Sequence, residues 1–206
     1  GVIRAAEPEG CALNRIILGI TGASGVIYGI RLLEAFHELN IETDLVISDW
    51  ALETLRTETD DAPERLRALA TRNYGCHDLA AAISSGSTRT DGMVVAPCSM
   101  KTLAGIANGF CGNLIERAAD VTVKERRKLI LAVRETPLSP IHLENMLKLA
   151  RLGVVIMPPV PGFYTRPRSI ADLIDFQTGK ILDQLGINHC LYQRWDGEAD
   201  AKSAQI

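Results

Sequence analysis

The sequence has no apolar run long enough to span a bilayer and no stretch laid out as a secretory signal. It also lacks a basic arm and any stripe of basic residues interleaved with aromatics. With 22 Lys and Arg against 25 Asp and Glu, the net charge is −3. These absences argue against a nucleic-acid or membrane partner. The five cysteines, Cys11, Cys76, Cys98, Cys111 and Cys190, contain no CxxC pair. An odd, scattered set is not a disulfide framework or a zinc knuckle, and a reducing, cytoplasmic setting is expected. The histidines, His37, His77, His142 and His189, have no HxxxH spacing. Cys76 and His77 are adjacent, which places two side chains poorly on one metal. There is no internal repeat, no low-complexity segment and no linker.

What is present fits one medium domain. A chain of 206 residues, 47% apolar, buries most of its surface on folding. Residues 15–195 are expected to form a single domain, with 1–14 a flexible extension and 196–206 a flexible tail. The stretch after Leu185 reads as loosely packed. Apolar runs of strand length, 15–20, 43–48, 93–96, 128–133 and 154–157, alternate with amphipathic runs of helix length. The helical runs are 25–39, 50–57, 61–71, 141–150 and 169–185. Continuous apolar strands alternating with helices predict an α/β fold with a mostly parallel sheet covered on both faces.

In open parallel sheets, ligands gather at the carboxyl ends of the strands. After the 93–96 run comes Pro97-Cys98-Ser99-Met100-Lys101-Thr102, which leads into a helical run. Such a turn can present backbone N–H groups, two hydroxyls and an ammonium to an anion or polar cofactor. It can equally be a plain helix start with Ser99 as cap and Lys101 in water. The first strand is followed by Gly22-Ala23-Ser24-Gly25, with Gly19 before it. That spacing is not a full G-x-G-x-x-G and lacks a Walker A lysine. It suits a flavin-phosphate or nucleotide loop, or a tight β-α turn. Ser48 follows the second strand, and Arg134-Glu135 follows the 128–133 run. An arginine there is available to fork a phosphate or to form a surface ion pair. Pro158 to Pro167 is a proline-stiffened loop carrying Phe163 and Tyr164. The charged run from Arg117 to Lys128 reads mainly as a solvated helix face.

Taken together, these motifs resemble the UbiX-type flavin prenyltransferase family, once described as aromatic-acid decarboxylases. The resemblance spans Arg15 to Trp195. It rests on Gly22-Ala23-Ser24-Gly25, Glu58-Thr59-Asp60, Ile83 to Ser87, Pro97 to Thr102, Arg117 to Asp120, Arg134 to Leu138 and Pro158 to Pro167. It implies a Rossmann-like flavoprotein fold and dodecamers built from trimers. The implied reaction joins a dimethylallyl group from dimethylallyl phosphate to reduced FMN. The product, prenylated FMN, would serve UbiD-type decarboxylases. Gly22, Ala23, Ser24, Ser48, Ser99, Met100, Lys101, Thr102 and Arg134 would hold FMN. Tyr164 and Lys180, with Lys124, Arg134 and Glu135, would surround the donor phosphate. Ser24, Glu58 and Glu135 would be catalytic, and Arg117 and Glu58 could serve a neighbouring subunit's site.

The residue types suit that chemistry. Cations and a phenol hydroxyl stabilise a departing phosphate, and aromatic faces such as Trp195 stabilise an allylic cation. Asp60-Asp61 is not followed by a DDxxD pattern, so no metal is expected. Gly162 stands where alanine is usual before Phe-Tyr, Asp49 where lysine is frequent, and Cys111-Gly112 is atypical. Gly162 is expected to loosen its loop. The competing readings are an FMN-dependent peptidyl- or pantothenoyl-cysteine decarboxylase, a non-catalytic FMN carrier, and direct decarboxylation of aromatic acids. The cysteine decarboxylases use an early histidine and an Asn turn. Here no histidine falls between Trp50 and His77, and Ser99-Met100-Lys101 replaces the Asn turn.

Overall fold

The computed structural model describes residues 15–195. The chain divides after Pro159 into two compact units. The first contains a six-stranded, all-parallel sheet in the order β3-β2-β1-β4-β5-β6. Its strands are β1 (Arg15–Ile20), β2 (Glu42–Ile47), β3 (Arg72–Tyr74), β4 (Gly92–Cys98), β5 (Lys128–Val133) and β6 (Val155–Ile156). Its helices are α1 (Val26–Glu38), α2 (Asp49–Glu58), α3 (Pro63–Leu69), α4 (Met100–Ala107), α5 (Leu114–Lys124) and α6 (Pro140–Arg151). The strand order is that of a Rossmann-like doubly wound sheet, as the alternating runs predict.

The central strands are buried on both faces, which is why they read as unbroken apolar runs. On one face Ile17, Val46, Met93, Val95, Leu129 and Leu131 pack with Leu103 and Ile106 of α4, Ile115 of α5, and Met146 and Leu149 of α6. On the other face α1 lies so close to the sheet that a Cβ on Gly29 would sit 2.3 Å from the Ala96 carbonyl oxygen.

Several boundaries differ from the sequence reading. Strand β3 was hidden because its residues are polar and only three long. Beside its backbone pairing with β2 and the packing of Tyr74 on the core, it is tied in by charge. Arg72 reaches Glu42 at 2.7 Å and the fully buried Asp44 at 3.4 Å, and Arg15 meets Asp44 from the other side at 2.7 Å. Strand β4 runs on through Pro97 and Cys98, and α4 begins at Met100 rather than Leu103. The charged run 117–128 is not one helix face. Helix α5 ends at Lys124, the chain turns through Arg126 at φ 56°, and β5 starts at Lys128.

The second unit carries helix α7 (Ile170–Leu185). Ser169 and Asp172 form a reciprocal cap at its start, and Gly186 in the left-handed conformation ends it. The segment after α7 is not loose. It returns along the helix, as described below.

Candidate active site

The strand order reverses between β1 and β4, and there the two strand ends are stitched together by one buried side chain. Thr21 donates its hydroxyl to the Pro97 carbonyl at 2.7 Å and accepts from the Ser99 amide at 2.9 Å. Its backbone N–H also reaches the Pro97 carbonyl, at 3.3 Å. The sequence reading passed over Thr21. A polar residue directly after a buried strand, beside a candidate loop, was its only signal.

Three helices start at this crevice. Ser99 caps α4, accepting from the Thr102 amide at 3.3 Å, and its hydroxyl also contacts that of Thr102 at 3.2 Å. Ser48 caps α2 by accepting from the Ala51 amide at 3.1 Å. Helix α1 begins after Gly25, which adopts φ 94°, a conformation favouring glycine. The side chain that satisfies α1's start comes from another helix. The Glu58 carboxylate at the end of α2 accepts from the Gly25 amide at 2.8 Å and the Val26 amide at 3.0 Å. Gly22 lets the first turn approach α2, since a Cβ there would lie 2.5 Å from Trp50 Cβ. Thr54 on α2 then donates to the Gly22 carbonyl at 3.2 Å.

The predicted residues Gly22, Ala23, Ser24, Ser48, Glu58, Ser99, Met100, Lys101 and Thr102 therefore do converge on the β1, β2 and β4 ends. Arg134 joins them, because it directly follows β5 and its amide donates to the Cys98 carbonyl at 3.1 Å. Its side chain is exposed and close enough to act on Tyr28 of α1. Burial raises the Tyr28 phenol, and the Arg134 charge partly offsets that rise. Glu135 is exposed and turns back on its own loop, accepting from the Thr136 amide at 2.9 Å.

The crevice fits a phosphate-bearing flavin. Helix N-termini leave first-turn N–H groups unsatisfied by the helix itself. Ser99 takes only that of Thr102, leaving the amides of Met100 and Lys101 for a ligand.

Two expected cations are placed differently from the sequence reading. The Lys101 ammonium does not point free into solvent. It pairs at 2.6 Å with Glu116, whose carboxylate is fully buried and whose second oxygen accepts from the Gly112 amide at 2.9 Å. Lys124 lies at the far end of α5, eight residues and about 12 Å of helix beyond Glu116. It is thus at the amino ends of the strands, paired with Glu125, and separate from Arg134 within one chain. Arg117 donates to the Ser84 carbonyl at 3.0 Å and to Asp120 at 2.8 Å. Asp61 is held by Arg65 at 2.7 Å, and among the described residues no three metal-ligating side chains cluster.

In the second unit, Tyr164 makes edge-on ring contacts with Phe176 at 5.8 Å and with Trp195 at 5.9 Å. Gly162 does not leave a gap. The Phe176 ring occupies the space a methyl would need, 2.7 Å from the position of a Cβ. Lys180 lies one turn beyond Phe176, on the same side of α7.

With this geometry in place, comparison with known proteins is informative. The flavoprotein family matches residues 5–194. The mitochondrial flavin prenyltransferase PAD1 of Saccharomyces cerevisiae is 57% identical over 89% of this chain and 76% of its own length. A crystal structure of AnUbiX (PadA1) in complex with FMN and dimethylallyl pyrophosphate is 53% identical. It superposes with a TM-score of 0.89 over 90% of this chain and 99% of that one. A dodecameric FMN-dependent UbiX-like decarboxylase from Escherichia coli O157:H7 is 50% identical. Its TM-score is 0.87 over 89% of this chain and all of that one. By these matches the chain belongs to the flavoprotein family and, within it, to the UbiX-type flavin prenyltransferases.

Proposed function

We propose that this protein transfers a dimethylallyl group from dimethylallyl phosphate to reduced FMN, making prenylated FMN for a UbiD-type decarboxylase. The observation that carries the reading is the β1/β4 switch point, where Thr21 ties two ligand-binding turns into one crevice. Gly22, Ala23 and Ser24 on one side and Ser99 to Thr102 on the other hold the flavin through main-chain amides and hydroxyls. Ser48 lies beside them, and Arg134 takes the flavin phosphate. Reduced FMN, when bound, supplies the electron-rich ring system that accepts the prenyl group.

The chain's own work is to hold the donor and stabilise its leaving group. We assign Tyr164 and Lys180 a hydroxyl and a cation for the departing phosphate, and Arg134 a further cation for it. Lys124 supports that cluster only across a subunit contact, since within one chain it lies at the opposite end of the strands from Arg134. The dodecameric relative gives precedent for such contacts, and a homododecamer is our reading for this chain. Ser24 and Glu58 lie near the reacting ring. Glu58 is tied to the α1 start and so has a fixed position. We assign Glu135 the proton transfer. No metal ion is assigned a step.

Cys76, Cys98, Cys111 and Cys190 are all unpaired, which supports a reducing compartment such as the cytoplasm. Burial raises the Cys76 thiol to about 11 and pushes Cys98 higher, so neither is a ready nucleophile.

The test is to mix protein, reduced FMN and dimethylallyl phosphate without oxygen and weigh the flavin by mass spectrometry. The expected result is a gain of one five-carbon unit. Bound FMN without that gain removes the prenyltransferase reading and leaves a flavin carrier.

A further inference from the structure

We propose that Asp183 is a positioning residue for the prenyl donor. It acts by clasping the segment after α7 against the ring cluster that contains Tyr164. This rests on the reading that Tyr164 and Lys180 bind the donor, and no motif in the sequence pointed to Asp183.

The clasp has three spokes. Arg194 donates to Asp183 Oδ1 at 2.6 Å, Tyr192 donates its hydroxyl to Oδ2, and His189 meets Oδ1 at 3.2 Å. The Leu191 amide donates to His189 Nδ1 at 3.1 Å, so that nitrogen is the acceptor and Nε2 carries the proton given to Asp183. One carboxylate thus gathers three side chains from a six-residue stretch, 189–194.

The helix is shaped to receive this stretch. A Cβ on Gly179 would lie 2.6 Å from both His189 Cε1 and Tyr192 Cδ1, so only glycine allows the segment this close. Tyr192 then stacks edge-on to Phe176 at 5.0 Å, Phe176 to Tyr164 at 5.8 Å, and Tyr164 to Trp195 at 5.9 Å. Both ends of this ring chain are set by the clasped segment, since Tyr192 and Trp195 both belong to it. Tyr164 lies between Phe176 and Trp195, and its hydroxyl direction is set by those two contacts.

Phe176, Lys180 and Asp183 recur at helical spacing on one side of α7. Asp183 therefore lies one turn from Lys180 and fixes the segment that frames Tyr164. Its role is in orienting the donor-binding residues, a kind of support whose loss costs affinity without touching ligand.

The test uses full-length protein saturated with oxidised FMN, in which dimethylallyl phosphate binds without turning over. Calorimetry gives the donor Kd, flavin fluorescence gives the FMN Kd, and amide exchange reports residues 187–195. In Asp183→Asn, the donor Kd should rise about tenfold, with faster exchange in 187–195 and an FMN Kd within about twofold of wild type. Adding Tyr192→Phe to Asp183→Asn should weaken donor binding no further, because both act through one clasp. Should Asp183→Asn not fold, Arg194→Gln and Tyr192→Phe each remove a single spoke and should show the same selective loss.

An unchanged donor Kd overturns the inference while leaving the enzyme's proposed reaction intact. An equal loss of FMN and donor binding also overturns it, because the residue would then be merely structural. If wild-type protein binds no dimethylallyl phosphate, the donor-site reading falls and the inference falls with it.

Discussion

Replacing Lys101 with methionine separates two roles for the most conspicuous cation at the flavin crevice. In the structure its ammonium is the counter-ion of Glu116, a carboxylate with no solvent exposure whose other oxygen accepts from the Gly112 amide. Breaking a fully buried pair by removing one partner costs about 3–5 kcal/mol, because the remaining charge is stranded. The Lys101 side chain is 69% exposed, so water can approach the vacated side and screen much of that penalty. We therefore expect Lys101→Met to destabilise the fold by about 1–2 kcal/mol. That lowers the melting temperature by about 2–8 °C for a chain of this length. Adding Glu116→Gln should recover most of the loss, since an amide keeps an acceptor for Gly112 and carries no charge. FMN affinity, followed by flavin fluorescence, should stay within about twofold throughout, because in our proposal the turn would bind through main-chain amides and hydroxyls rather than the Lys101 ammonium. A tenfold or greater weakening of FMN in Lys101→Met, relieved neither by salt nor by the second substitution, would refute this account. It would return the ammonium to the flavin phosphate.

Thr21→Val keeps the side-chain volume but removes the hydroxyl that links the Pro97 carbonyl to the Ser99 amide. A loss of about 1–3 kcal/mol in thermal unfolding is expected, with weaker FMN binding, and a neutral effect on both would rule out the stitch. Arg134→Ala should weaken FMN by about tenfold to a hundredfold through loss of a charge-assisted bond, as an equilibrium titration would reveal. Glu58→Gln retains an acceptor for the α1 start, so FMN binding should persist while prenyl transfer slows; undiminished turnover takes Glu58 out of the chemistry.

The Asp183 clasp also predicts a pH window. Burial raises the Asp183 carboxyl, but the bonds from Arg194, Tyr192 and His189 outweigh it and leave it at about 2. Its contribution is present above the ordinary carboxylate value and is lost as pH falls toward 2. Burial, then the bond to Asp183 and its charge, raise Tyr192 to about 12. That contribution is present below the ordinary phenol value near 10 and is lost as pH rises through 12. Phenolate absorbance compared between wild type and Tyr192→Phe should show this tyrosine titrating last. Its ionisation near the ordinary value would mean the clasp is open.

Much of the sheet was legible because its strands are covered on both faces. Burial on both sides favours apolar runs, and β1, β4 and β5 are largely that, whereas β2 buries Thr43 and Asp44 ahead of its Leu45-Val46-Ile47 end. Strand β3 follows a different rule. It is short and polar, and its arginine is held by Asp44 from the neighbouring strand, a partner 28 residues away that no local pattern reveals. The glycine turn and Ser99 were legible for a similar local reason, since a strand-to-helix turn needs small or capping residues. Pairing was not. Whether Lys101 faces a ligand or Glu116 depends on α5 crossing beside α4, and whether Lys124 joins Arg134 depends on the direction in which α5 runs.

The sequence by itself determined the alternation of strands and helices, the residues at each strand end, and so the chemistry available to a flavin and an allylic phosphate. Those follow from hydrophobic period and turn stereochemistry, which act over a few neighbours. Tertiary structure alone decided which charges are neutralised, that Thr21 joins β1 to β4, and that Asp183 gathers His189, Tyr192 and Arg194. Hydrogen bonds and ion pairs are short-ranged and directional, so their partners exist only once the chain has brought distant segments within reach.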